Sequence, residues 1–156
     1  MFKFIRFLVT HGIALFIGFA LGIYMLPILT APEGPSEAEV TAAAQQAVYS
    51  AQFTRDLPGS DFLHWGEGDV SISAKQVSFM GSMAPGPDYM LYLTKELVLD
   101  EASFLAVKED SARVGSVKTF DKFVLDIPAG INPNEYTAVV VWCESFSEFI
   151  SAASYR

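Results

Sequence analysis

EYTAVVVWCESF, running from Glu135 to Phe146, decides the fold. In an extended chain, successive side chains point to opposite faces. Tyr136, Ala138, Val140 and Trp142 then share one face, and Thr137, Val139, Val141 and Cys143 share the other. Both faces are largely apolar, and three consecutive valines favour a pleated strand. The stretch reads as a central strand covered on both sides, with the chain's single cysteine near its end.

The same period of two extends outward from that strand, back to Phe53. Val70 and Ile72 alternate with Asp69, Ser71 and Ser73, and Val77 and Phe79 with Gln76 and Ser78. Phe123, Leu125 and Ile127 alternate with Lys122 and Asp126. Tyr89 to Leu93 and Phe104 to Val107 are apolar on both faces and read as further covered strands. Pro85-Gly86-Pro87 and Pro128-Ala129-Gly130 read as turns. Seven or eight short strands in about 100 residues predict a mostly β domain over 53–156, an antiparallel sandwich or barrel.

The N-terminal fifth has a different composition. Lys3 and Arg6 are followed by Phe7 to Ala31, which holds no Asp, Glu, Lys or Arg. A helix of about 20 apolar residues spans a bilayer. A cleavable signal peptide has a shorter apolar region, about 7–15 residues, ending in a small-x-small site. Here Leu29 spoils that site and Pro32 would follow the cut. Residues 1–31 are therefore expected to be a basic tip and an uncleaved transmembrane signal-anchor. The positive charges place the N-terminus in the cytoplasm and the rest in the periplasm or extracellular space. Ala14, Gly18 and Gly22 share one helix face, the small-xxx-small pattern that lets two membrane helices approach closely and form a homodimer. Frequent glycine in membrane helices is the plainer reading.

Residues 32–52 read as a linker and a helical stalk. Ser36 and Glu39 have the spacing of a capping box, and the alanine-rich run behind them has high helix propensity. Its apolar face is weak, so a stalk holding the domain off the membrane is expected, not part of the core.

From Glu33 onward the chain carries 18 acidic and 8 basic side chains. With no basic run to neutralise phosphates, nucleic-acid binding is excluded. One cysteine allows neither an intramolecular disulfide framework nor a multi-thiolate metal site. GxSxG, a phosphate loop, HExxH and CxxC are all absent, which points away from an enzyme.

His64-Trp65-Gly66-Glu67-Gly68 precedes a strand, Gly86-Pro87-Asp88-Tyr89 follows, then Val141-Trp142-Cys143, Phe146 and Ala152-Ala153. From about Asp61 to Tyr155 this order resembles the DM-thirteen domain, the small extracellular domain also found in Skeletor proteins. The resemblance implies a β-rich, extracytoplasmic domain proposed to transfer electrons. Its cysteine, matched by Cys143, would act as a free thiol or help hold a prosthetic group such as haem. His64 matches the family's histidine. At Gly115 to Lys122 the family pattern leads one to expect a polar, glycine-containing hairpin, and this chain has the bulkier SVKTFDKF running from Ser116 to Phe123.

Cys143 and His64 are thus the candidate cofactor-binding residues. A thiolate can ligate iron or exchange with disulfides, and a nearby cation such as Lys118 or Lys122 would favour it. The alternative is a buried cysteine packing as a small hydrophobe. His64 is an axial or metal ligand, or a loop histidine bonded to backbone. Two functions follow. One is a redox or cofactor-binding module tethered beside a membrane redox partner. The other is a non-enzymatic membrane-tethered binding or structural module with a core cysteine.

Overall fold

The computed structural model describes residues 2–156. Helix α1 spans Phe2–Thr30 and is long and apolar enough to cross a membrane. Helix α2, Glu37–Gln45, starts at the expected capping box: Ser36 accepts from the Glu39 N–H, and the Glu39 carboxylate accepts from the Ser36 N–H at 2.7 Å. Strands β1 Tyr49–Phe53, β2 Gly66–Ile72, β3 Gln76–Met83 and β4 Tyr89–Thr94 follow. Helix α3 is Glu101–Val107, and then come β5 Ala112–Val117, β6 Lys122–Asp126, β7 Ala138–Cys143 and β8 Glu148–Ser154.

The strands make two antiparallel four-stranded sheets, ordered β1-β2-β3-β6 and β5-β4-β7-β8. They share one core. Phe53, Val70, Phe79 and Phe123 come from the first sheet, and Leu91, Val139, Val141, Cys143 and Ile150 from the second. The Phe79 and Phe123 rings stack at 5.2 Å. Burying side chains of this size stabilises the fold by about 1.5–3 kcal/mol each.

β7 is the inner strand the sequence implied, paired with β4 on one side and β8 on the other. Every residue from Ala138 to Cys143 is buried. Its odd-numbered side chains enter the shared core, while Val140 and Trp142 enter a second cluster with Met90, Tyr92, Phe104 and Phe149. That second cluster lies under α3 and explains why β4 and β7 carry no polar face.

The structure corrects one expectation of local structure. Phe104 to Val107 lies in α3 and is not a strand. Asp100 caps that helix, accepting from the Ser103 N–H at 2.7 Å. Only Phe104 of the apolar run is fully buried, and Leu105 is exposed. At Gly115 to Lys122, where the sequence departs from the family's hairpin pattern, β5 and β6 belong to different sheets and the chain crosses between them. The stalk expectation also meets a different picture. Val40, 2% exposed, and Ala43 are buried where α2 packs on β3 and β6, and β1 already begins at Tyr49.

Glycine is required where β2 and β3 cross most closely. Gly68, at φ +137°, faces Gly81 across the sheet. A Cβ on Gly81 would sit 2.1 Å from the Glu67 carbonyl oxygen.

Candidate functional site

Three separated segments converge at one end of the second sheet. The first is the loop before β2. Asp61 Oδ1 accepts from the N–H groups of Leu63 and His64, both at 2.7 Å, which curls the loop into an Asx turn. Asp61 Oδ2 stands 3.1 Å from His64 Nδ1. Burial alone would raise the Asp61 pKa, but hydrogen bonds from Leu63 and His64 outweigh it and hold it below the ordinary carboxylate value. An ionised carboxylate only accepts, so Nδ1 carries a proton toward Asp61 and Nε2 is the ring nitrogen turned away from it. A carboxylate behind the imidazole is also the arrangement that orients ligating histidines. Next in the chain, Trp65 is stacked by the Arg55 guanidinium, 3.3 Å from the ring centre, while Arg55 pairs with Glu67 at 3.0 Å.

The second segment is Pro85-Gly86-Pro87-Asp88. Asp88 is its working residue. Its carbonyl accepts from the Glu144 N–H at 2.9 Å and its carboxylate from Ser145 Oγ at 2.8 Å. These bonds tie the turn after β7 to the turn before β4. Gly86 lies against the Tyr89 ring so closely that a Cβ would approach it to 2.2 Å. Only glycine leaves Tyr89 in place at this wall.

The third segment is Cys143 and its turn. Cys143 ends β7, opposite Tyr89 on β4 and Glu148 on β8. It is 3% exposed. Burial raises its pKa, the Asp88 charge adds to that, and N–H groups of the turn offset it only in part. The thiol is therefore protonated at neutral pH. Neither lysine considered as an activator figures among these influences, and Lys122 is paired with Asp121 at 2.8 Å. Glu144, next in sequence, engages the other side of the sheet. Lys108 Nζ lies 2.5 Å from Oε2, and Tyr92 donates its hydroxyl hydrogen to Oε1. Burial raises the Glu144 pKa, but the bonds from Lys108 and Tyr92 prevail and lower it.

Cys143 and His64, 79 positions apart, line the same cleft of about 740 Å³. Phe62, Leu63, Pro85, Tyr89 and Phe146 supply apolar walls, and Glu148 supplies a carboxylate. The remaining wall is α1, through Phe16, Ala20, Leu21 and Tyr24. An apolar cleft with a few convergent polar groups is the usual form of a small-molecule site. Among the described residues, no three His, Cys, Asp or Glu side chains gather as a metal site.

A family model described as "Electron transfer DM13" matches residues 37–155. The chain belongs to the DM13 family. The match begins with α2, so the DM13 unit includes the helix packed on β3 and β6. No curated protein and no solved structure matches the chain.

A haem can be tested against this DM13 cleft. His64 Nε2 suits an axial nitrogen ligand, and the apolar walls suit a macrocycle. The charges do not suit it. A haem brings two carboxylates, whereas no described residue lining the cleft is Lys or Arg and the charged one is Glu148. The thiol would also have to lose a proton that burial and Asp88 both hold in place. These residues do not fit a haem.

Sequence reasoning gave Cys143 and His64 but assigned no role to Asp61, Asp88 or Glu148. Asp61 carried a usable signal, an aspartate three residues before a loop histidine, where side-chain turns form. The contribution of α1 to the cleft had no local signal.

Proposed function

We propose that this DM13 chain is a membrane-anchored electron-transfer module whose redox-active ligand sits between Cys143 and His64. The observation that carries the reading is the shared cleft: the family's cysteine and histidine positions line one apolar cavity, and Asp61 leaves the His64 Nε2 free. The ligand itself would take up and give back the electrons, His64 would exchange a proton or a hydrogen bond with it, and Cys143 would contact it through its thiol. Family membership supports the electron-transfer class. The test is a potentiometric titration, followed by absorbance, of the full chain purified from its own membrane in mild detergent. A reversible transition that weakens in His64→Gln is expected. A flat titration from a folded protein would refute the reading.

The second reading, a binding or structural module with a core cysteine, is favoured by the near-complete burial of Cys143. It predicts a flat titration and a thiol that small maleimides do not label in the native state.

In the proposed arrangement α1 spans the bilayer with Lys3 and Arg6 inside and the DM13 domain outside. Ala14, Gly18 and Gly22 would form a homodimer face. At about 100° per residue these positions lie on the opposite side of α1 from Phe16, Ala20 and Tyr24, and a Cβ on Gly18 or Gly22 would meet nothing within 4 Å. Both statements can be checked on one membrane preparation. Mass spectrometry should find the chain uncut near Ala31, and cross-linking should trap a dimer that Gly18→Ile removes. A new terminus at Pro32 would defeat the anchor, and cross-linking unchanged by Gly18→Ile would defeat the dimer face.

A further inference from the structure

The cleft is walled on one side by the middle and outer part of an apolar helix. If Lys3 and Arg6 are held at the inner headgroups, about 20 residues cover the hydrocarbon core, which then runs from about Phe7 to about Leu26. Phe16 falls at the middle of that core, and Ala20 and Leu21 in its outer half. The cleft they close would then face lipid acyl chains.

Two further observations agree with this placement. Phe62 is 85% exposed and Phe146 50% exposed, on two different loops that both line the cleft. Apolar tips of this kind are costly in water and favourable in the interfacial region of a bilayer. The link from Thr30 to α2 is only Ala31 to Ser36, which spans at most about 20 Å when extended. Part of it rests on the domain, since a Cβ on Gly34 would lie 3.3 Å from the Thr119 side chain. The domain is therefore held close against α1 with little slack, and the loops that carry Phe62 and Phe146 reach into the outer leaflet beside Ala20 and Leu21.

We propose that the cleft is entered from the outer leaflet and binds a neutral, ring-bearing carrier dissolved in the membrane, of the quinol class. This rests on the reading of the cleft as the electron-transfer site. Absence of a cationic wall excludes anionic cofactors, by the argument that excluded haem. The apolar walls, with Tyr89 and Phe146 as flat partners, suit an uncharged aromatic ring. His64 holds Nδ1 against Asp61, so Nε2 is the ring nitrogen left to meet a carrier hydroxyl, and the Glu148 carboxylate in the same cleft only accepts. A quinol brings two hydroxyl donors to these groups and a quinone brings none. The reduced carrier is thus the form assigned to the site.

The full chain reconstituted in phosphatidylcholine vesicles provides the test, with a decyl-tailed benzoquinol as the probe. Saturable binding is expected, tighter for the quinol than for the matching quinone. His64→Ala should reduce affinity by about tenfold, the scale of one lost hydrogen bond at a buried site. Ala20→Trp, placed on the helix wall away from both sheets, should fill the cleft and abolish binding while leaving the domain's thermal transition unchanged. Non-saturable uptake, equal binding to the Ala20→Trp protein, or displacement of the quinol by haemin would overturn the proposal. A redox titration that persists while quinol fails to bind defeats this inference alone. Quinol binding without any redox transition defeats the electron-transfer reading and leaves the site standing.

Discussion

Cys143→Ala is expected to leave a folded domain and to abolish the redox transition of the full chain. The stability cost follows from what is removed. The sulfur is buried in the shared core at the end of β7, beside the Tyr89 register position. Replacing it by a methyl group leaves a small void, which costs about 1–3 kcal/mol. The strand itself is held by backbone pairing to β4 and β8 and by the Asp88 bonds to the following turn, none of which uses the thiol. Loss of folding on this one change would instead identify Cys143 as a packing residue.

The same thiol leaves a pH signature. Its pKa in the folded chain is raised, chiefly by burial. Above about pH 8.5, where an ordinary thiol ionises, the unfolded chain loses its proton while the folded chain keeps it. The folded state then binds more protons, so stability falls as pH rises through that window. Below it, the contribution is fully present. Tyr89, Tyr92 and Tyr155 are raised in the same direction by burial, so their share of the loss begins above about pH 10. Cys143→Ala should remove the first part of the alkaline decline and keep the second. Urea unfolding across pH 7 to 11 measures both. Maleimide labelling of the native protein should be slow at pH 7 and accelerate with pH, because the thiolate is the reactive form.

The sandwich was legible because its signals are periodic. Alternation along β2, β3 and β6 needs only one buried face, and the doubly apolar β7 announces a strand with cover on both sides. Phe104 to Val107 misled because four apolar residues fit a covered strand as well as one helical turn. The Asp100 cap lay upstream and outranked them. β5 and its connection to β6 were not legible for another reason. Period two shows at most that residues form a strand, not which sheet receives it, and that choice is made by distant packing. In α2, Val40 and Ala43 at i and i+3 did mark a face, but a face this small gives no hint of its partner. The site was legible at its two reactive side chains and illegible between them. His64 and Cys143 meet only through tertiary pairing, and the Asp61 bond that orients the imidazole is made by a loop whose composition resembles any polar turn.

Trp142→Ala is expected to have the largest effect on stability of any single change in β7. The indole is fully buried, packed 4.9 Å from the Phe104 ring, with Lys108 Nζ 5.5 Å from its face. It joins β7 to α3, and truncating it would empty the centre of the second cluster. Large-to-alanine changes of this kind cost about 3–5 kcal/mol. At about 4 °C per kcal/mol for a domain near this size, the thermal midpoint should drop by about 12–20 °C. Trp142→Phe should behave differently. Among the described residues the indole Nε1 has no hydrogen-bond partner, and a buried unpaired N–H costs about 1–3 kcal/mol. Phenylalanine removes that group together with part of the ring volume, so penalty and relief oppose each other and the net change should stay within about 1 kcal/mol. Denaturant unfolding of the two variants separates the terms. Equal destabilisation by Ala and Phe would mean that the N–H is satisfied and that the full indole shape is needed. A mild Phe variant would show that Trp142 is kept for its packing against α3. That packing holds the end of β7, and with it Cys143, at the wall of the cleft.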